Sequence, residues 1–447
     1  EGRSLTISGS GKSNATIHYQ GLGSLFVQRD PSVTLDSFEI KDLALATSTP
    51  GDYSSVRPTI NRGSAIDFSY SQVVNFPKFT NLRIIGWGRW GIFCSNCQGA
   101  WLANNLFRAN AQGHLGFIGP ETVAQVNAAE ANVNSVRDSQ FDLAPNISNS
   151  NVSLTNLSIS SGSYNLVAAS GVFALQHEGR LIRVIGAGIG GGDLLALIKT
   201  YNSPTSVTLS AQNQTGGALT GLTGTIYKSN VGSIYLHRAN NTSLSSLTIQ
   251  GNFSGSTRDE FAIRAENSYG LRAGSIWIED TGGGGGHDFE LLNAPATTIT
   301  NYKSNADSTA SSGNTHGGNL YLRNGSTATV TGMFAENPTK HFDLDATSNV
   351  EIDGSTLSTS DNTFNTFDQS RDRIVLGPGV RFKTEQATGQ SQRNNLLAYD
   401  DPLVNLITNG RFEDGAGGMT GWTDTNPTYH TRVTTAGRYN NYQRVNT

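Results

Sequence analysis

SIYLHRANNTSLSSLTI (233–249), FAIRAENSYGLRAGSIWI (261–278), HDFELLNAPATTIT (287–300), NLYLRNGSTATVTG (319–332) and HFDLDATSNVEIDG (341–354) are copies of one phrase. Each is an alternating apolar strand, a corner of small or polar residues, and a second short strand. Recurrence at intervals of roughly 20 to 30 residues marks a solenoid in which each repeat buries the face of its neighbour. The alternation is short, and helical spacing is nowhere sustained over three turns, so the elements are strands. The inward positions align as Leu236, Ile263, Leu291, Leu322 and Leu344 in the first strand, and as Leu247, Ile276, Ile299, Val330 and Ile352 in the second. This pattern predicts an all-β chain folded as a right-handed parallel β-helix. An earlier pair, FTNLRIIG (79–86) and WLANNLFRAN (101–110), sets Ile84 over Leu106, so the solenoid starts well before residue 100.

Working outward, residues 1–170 read as the first part of the solenoid and 231–400 as the second, which carries the candidate active face. Between them, 171–230 drops the coil phrase. Its alternating LIRVIG, LLALIKTY and SVTLSA segments, joined by Gly-rich and Asn-Ser-Pro turns, predict a small inserted antiparallel β module. The glycines of GAGIGGGD (186–193) form a turn and not a phosphate loop, because the Walker lysine is missing and a strand follows. At 401–447 the phrase NLITNGRFEDGAGGMTGW (405–422) resembles the first strand of carbohydrate-binding β-sandwich modules, with too little chain left for a whole sandwich. The chain opens on Glu1 with neither a methionine nor a signal-like segment, as a trimmed piece of something longer would.

The 447 residues include 51 glycines, and only 15% are charged, as expected where stacking rather than a thick globular core excludes water. A net charge of −4 without a basic stripe argues against nucleic acid, and no apolar run is long enough to span a membrane. Cys94 and Cys97 form a lone CSNC, read as core filling or a small thiol pair. His114 and His177 are isolated, no histidine and carboxylate spacing makes a metal site, and no cofactor is implied.

In a parallel β-helix, equivalent side chains on successive coils stand about 4.8 Å apart and alternate residues along a strand about 6.6 Å apart. The outward positions therefore map a surface. One column reads His237, Arg264, Leu292, Arg323 and Asp345; a second Tyr235, Ala262, Glu290, Tyr321 and Asp343; a third Glu260, Asp288, Asn319 and His341. Carboxylates, tyrosines, arginines and histidines on one face suit a polysaccharide: rings stack on sugars, and paired acids cut glycosidic bonds when about 6.5 to 9.5 Å apart. Asp288 and Glu290 are spaced for this, as are Glu290 and Asp343 two coils apart. Glu260 beside Asp288 would stand close enough for repulsion to keep one of them protonated. The candidate catalytic residues are thus Glu260, Asp288 and Glu290, with Asp343 in reserve.

The same face also fits β-elimination on a uronate polymer. Arg264 or Arg323 would neutralise the carboxylate, and His237, Tyr235 or Tyr321 would abstract the C5 proton. His341 belongs to the same binding patch. GGGGG (282–286) borders it as a flap or a permissive corner. Trp277 and Glu279 point outward on a different face, as auxiliary sugar-binding or subunit-contact residues. Trp87 and Trp90 stand at a corner, open to sugar stacking or to packing.

The opening LTISGSGKSNATIHYQGLGSLFVQ (5–28) is similar to the phrase that starts many tailspike and pectin-lyase-like solenoids. EGRLIRVIGAGIGGGDLLALIKTYNSPTSVTL (178–209) is similar to a small β motif of phage tail proteins. With the late coils, most of residues 1–370 resembles a bacteriophage tailspike depolymerase. That resemblance implies a homotrimer on the virion tail or baseplate, extracellular, that grips and cuts a bacterial surface polysaccharide, O-antigen or capsule. It supplies no catalytic residue. Hydrolase, lyase and non-catalytic receptor-binding solenoid all remain open on the sequence.

Overall fold

The computed structural model describes residues 5–21, 23–28, 34–47, 63–68, 73–110, 112–119, 131–142, 151–178, 180–188, 191–213, 215–227, 232–250, 261–279, 287–305, 318–336, 341–359, 374–377, 379–384, 430–434 and 441–445. Outside an inserted barrel and the hairpin of His430–Thr434 with Asn441–Val445, the strands pair in parallel. A nine-stranded sheet runs from Phe26–Val27 through Trp90–Ser95, Gly113–Ile118, Gly232–His237, Phe261–Glu266, His287–Leu292 and Gly318–Arg323 to Phe342–Leu344. A sixteen-stranded sheet carries the second strand of each repeat, such as Ser243–Gln250, Arg272–Glu279 and Thr297–Asn305. A short five-stranded sheet, which includes Cys97–Gln98 and Ala239–Asn240, joins them in the early coils. This is a parallel β-helix. The C-terminal phrase at 405–422 and the glycine run at 282–286 lie outside the described residues.

Stacked apolar columns hold the coil together. Ile234, Ile263, Phe289, Leu320 and Phe342 pair in register, as do Leu236, Ala265, Leu291, Leu322 and Leu344. Both columns are buried in one continuous core, and each leucine, isoleucine or phenylalanine in them contributes on the order of 1.5–3 kcal/mol. The corner after these strands is set by asparagines in the left-handed region: Asn267, Asn293 and Asn324 have φ of 51°, 50° and 58°. Asparagine tolerates that conformation better than other residues with a Cβ. Its amide also ladders between coils, the Nδ2 of Asn293 donating to Oδ1 of Asn267 at 2.8 Å.

Three registers differ from those expected. Ile263 lies over Ile234, two residues from the expected Leu236. Ile299 lies over Ala273 instead of Ile276, and Ile84 over Phe107 instead of Leu106. The physical reason in the second strand is a left-handed residue in its middle, Ser246, Ser275 or Asn301, with φ of 53°, 54° and 50°. It breaks the period of two and brings residues three apart, such as Leu244 and Leu247, to the same core.

Gly113–Ile118 pairs directly with Gly232–His237, so the chain between them leaves the solenoid and returns. Much of the detour is a closed barrel of six antiparallel strands. It begins at Val152–Ile159, earlier than the expected residue 171, and ends at Leu219–Ile226. Leu194, Ala196 and Ile198 point into the barrel, while Leu195 and Leu197 pack on the solenoid. A strand buried on both faces reads as an unbroken apolar run, and this accounts for LLALI.

Candidate functional site

The barrel docks on the outer face of the nine-stranded sheet. Its Leu181, Leu195 and Leu197 cover Trp90, Phe93, Ile118, Tyr235 and Phe261 of the coils. Phe93 has room there because its neighbour on the next coil is Gly116, where a Cβ would come within 2.8 Å of the ring. Docking covers the early part of the outward column and leaves the later part open as a cleft of about 530 Å³. Coil residues Arg264, Glu266, His287, Glu290, Tyr321 and Arg323 form one side, and barrel residues Arg183, Thr225 and Tyr227 the other.

Register fixes the floor. Tyr235, Arg264, Glu290, Tyr321 and Asp343 succeed one another on consecutive coils. Arg264 is the hub: its Nη1 donates to Glu290 Oε2 at 3.2 Å and its Nη2 to Glu266 Oε2 at 3.3 Å. The Tyr235 hydroxyl donates to the same Glu266 oxygen at 3.2 Å. His287 Nδ1 stands 3.6 Å from Glu290 Oε1, and its ring lies 4.8 Å from that of Tyr321. The Arg323 guanidinium sits 3.7 Å over the Tyr321 ring and bonds Asp343 Oδ1 at 2.7 Å.

Burial alone would push the Glu266 carboxyl up; Arg264, then His237 and Arg183, outweigh it and hold the pKa below the ordinary value. Burial likewise opposes charge on Arg264, but Glu266 and then Glu290 raise its pKa. Burial, reinforced by Glu266, lifts Tyr235 far above the usual phenol range. Glu266 is thus a fixed anion and Tyr235 a fixed neutral donor. Glu266 and Glu290 both line the cleft and are equally exposed; Glu290 is the one that shares the outward column with Tyr321 and Asp343.

The structure brings Glu290, Arg264, Tyr321 and Arg323 to the cleft, with Asp343 attached through Arg323. It corrects several other expectations. Asp288 is fully buried inside the coil, where its carboxylate accepts hydrogen bonds from Tyr302, from Ser304 at 2.6 Å and from Asn319 at 2.9 Å. His341 is also interior, its Nδ1 2.9 Å from Asn319 Oδ1. The reason is that strict alternation fails at the strand start. Ala262 and Ile263 both enter the core, as do Asp288 and Phe289, so the residue two before Glu290 does not share its face.

Tyr235 and His237 are outward but buried, 2% and 1% exposed, with rings parallel at 6.4 Å; neither is placed to meet a substrate. Arg264 lines the cleft and is held by two carboxylates, Glu266 and Glu290. Trp277 is exposed on the other sheet beneath Lys303. Glu260 lies outside the described residues. Trp87 is core, donating from Nε1 to the Leu45 carbonyl, and Trp90 packs under the barrel. Cys94 and Cys97 are joined as a buried disulfide.

Sequence reasoning missed Glu266, Arg183, Tyr227 and the part played by His287. Correct register at FAIRAE would have placed Glu266 over His237. Nothing local marks Arg183 or Tyr227, which reach the cleft only because the barrel docks there.

No family model and no curated protein matches the sequence. Among solved structures the chain is similar, at 12% identity and a TM-score of 0.41, to the catalytic unit of a thermostable GH87 alpha-1,3-glucanase from Streptomyces thermodiastaticus; 86% of this chain and 60% of that one are covered. It is similar to the Agl-KA catalytic domain at 10% identity and a TM-score of 0.37, covering 86% and 63%. It is similar to the tailspike protein gp49 from Pseudomonas phage LKA1 at 10% identity and a TM-score of 0.21, covering 66% and 46%. The chain therefore spans less than two thirds of each of these proteins. What the cleft does rests on its own residues.

Proposed function

We propose that this protein binds a bacterial surface polysaccharide in the cleft between barrel and coils and cuts it by glycosidic hydrolysis. The observation that carries the proposal is Glu290: a carboxylate on the cleft floor, fixed by Arg264, 3.6 Å from His287 Nδ1, and on the same column as Asp343 two coils on. Two coils correspond to roughly 9.6 Å between backbones, near the separation used by inverting glycosidases. Glu290 takes a proton from water as the water oxygen bonds to the anomeric carbon. The departing glycosidic oxygen takes a proton from Asp343 as the carbon–oxygen bond breaks, a step that requires Asp343 to leave its ion pair with Arg323 and enter the reaction protonated. The homotrimeric, tail-borne, extracellular setting belongs to the same proposal and is supported by the opening and insert phrases.

A second reading has one observation in its favour. His287 against Tyr321, with Arg323 over the same ring, is a base, a donor and a cation in one place, as β-elimination requires. Incubation with purified surface polysaccharides, followed by gel filtration and ultraviolet absorbance, separates the readings. Shortening without new absorbance supports hydrolysis. Shortening with unsaturated-uronate absorbance supports the lyase. Binding without shortening makes the solenoid a receptor-binding protein and removes both.

A further inference from the structure

We infer that the cleft is built for an uncharged glycan unit, and that the barrel reads this unit through the ion pair of Arg183 and Asp193. The inference deepens the reading of the cleft as a glycan site and rests on it. Among the described residues, Arg183, Arg264 and Arg323 are the arginines lining the cleft, and no lysine lines it. Each guanidinium is already matched. Arg264 spans Glu266 and Glu290; Arg323 holds Asp343; Arg183 bonds Asp193 through Nε and Nη2. Three guanidinium groups thus meet four carboxylates.

An incoming carboxylate or sulfate would have to displace an existing partner from its guanidinium and would meet the repulsion of the remaining anions. A pair of sugar hydroxyls makes the opposite demand. It needs a donor and an acceptor side by side, and a guanidinium bound to a carboxylate offers both. Arg264 and its partners lie buried, with side chains 13% and 8% exposed, whereas Arg183 and Asp193 are 37% and 27% exposed at the rim. Arg323 and Asp343, at 23% and 26%, lie between, so the barrel pair is the most exposed of the three. That gives the barrel a role beyond covering the early coils: it supplies the specificity-determining wall.

The test is binding to an immobilised array of neutral and acidic bacterial glycans. The wild-type protein is expected to retain neutral glycans at least about tenfold better than acidic ones, with Kd moving less than about twofold between about 50 and about 500 mM salt. Asp193→Asn leaves Arg183 without its carboxylate; it should narrow or reverse the preference and make acidic binding salt-sensitive. Arg183→Gln should weaken neutral binding without creating acidic binding. The inference is overturned by wild-type preference for acidic glycans, by retention of no neutral glycan, or by an Asp193→Asn variant whose preference is unchanged. Cleavage is scored separately: a neutral glycan that is bound but not cut supports the inference and removes the hydrolytic reading.

Discussion

Replacing Arg264 by methionine removes the cation shared by Glu266 and Glu290 and keeps most of the side-chain volume. The two carboxylates are 8% exposed in their side chains, and Arg264 is the largest of the groups that let Glu266 hold its charge against burial. Removing one partner of a buried ion pair costs about 3–5 kcal/mol, and that is the loss expected at about pH 7.5. The loss must depend on pH. In the wild-type protein the lowered Glu266 pKa stabilises the fold above the unfolded carboxyl value of about 4.3 and less below it. In the variant the largest group opposing burial is gone and the Glu266 pKa rises, so the folded state takes up its proton at a higher pH than the wild type and loses less stability on acidification. The gap between the two proteins should therefore narrow by more than half between about pH 7.5 and about pH 4.5. Urea denaturation at both pH values measures this, and a double variant with Glu266→Gln should recover part of the loss. A deficit under about 1 kcal/mol, or one of equal size at both pH values, would show that Arg264 does not hold the two carboxylates in this way.

Three further outcomes are expected. Lys199 faces the barrel interface, where burial, opposed by Asp67, lowers its pKa to about 6. The unfolded lysine stays protonated up to about pH 10.4, so between these values the unfolded state holds more protons and stability rises with pH. Calorimetry should show the melting midpoint climbing from about pH 6 to about pH 9, and Lys199→Met should flatten that climb; an unchanged slope in the variant contradicts the assignment. Asp288→Ala strands three buried donors, at about 1–3 kcal/mol each. It should lower the denaturation midpoint sharply while the folded fraction still shortens polymer at the wild-type rate; a stable but inactive variant would return Asp288 to catalysis. Trp277→Ala, at an exposed position on the other sheet, should change stability by less than about 1 kcal/mol; affinity for long but not short glycans should drop if Trp277 is an auxiliary contact, and equal affinity for both removes that role.

The period, the strand type and the face of most residues were legible, because stacking repeats the same apolar position on every coil. Register was less so. FAIRAE offers Ile263 and Ala265 as equally acceptable core residues, and a two-residue slip keeps every apolar side chain inside, so pattern alone does not choose between them. The slip detached Arg264 from Glu290 and hid Glu266. Asp288 was misplaced for a different reason: parity counted back from Glu290 assumes strict alternation, and Asp288 and Phe289 both face the interior. A polar residue in that interior column is stable only because Tyr302, Ser304 and Asn319 satisfy it, partners that come from other strands. The barrel's first strand, VSLTNLSI, alternates like any coil strand, and only its antiparallel pairing, with Asn165–Ala168 and with Leu219–Ile226, sets it apart. The cleft wall was invisible for the same reason, since Arg183 and Tyr227 reach the site through docking and not through spacing.

The most direct test of the account is the depolymerisation assay with Glu290→Gln beside the wild-type protein. The substitution keeps the size of the side chain and its contact with Arg264 but removes the base. The account predicts that wild-type protein shortens its polysaccharide without new ultraviolet absorbance, while the variant still binds the polymer and shortens it at least about a hundredfold more slowly. Full shortening by a correctly folded variant would contradict it.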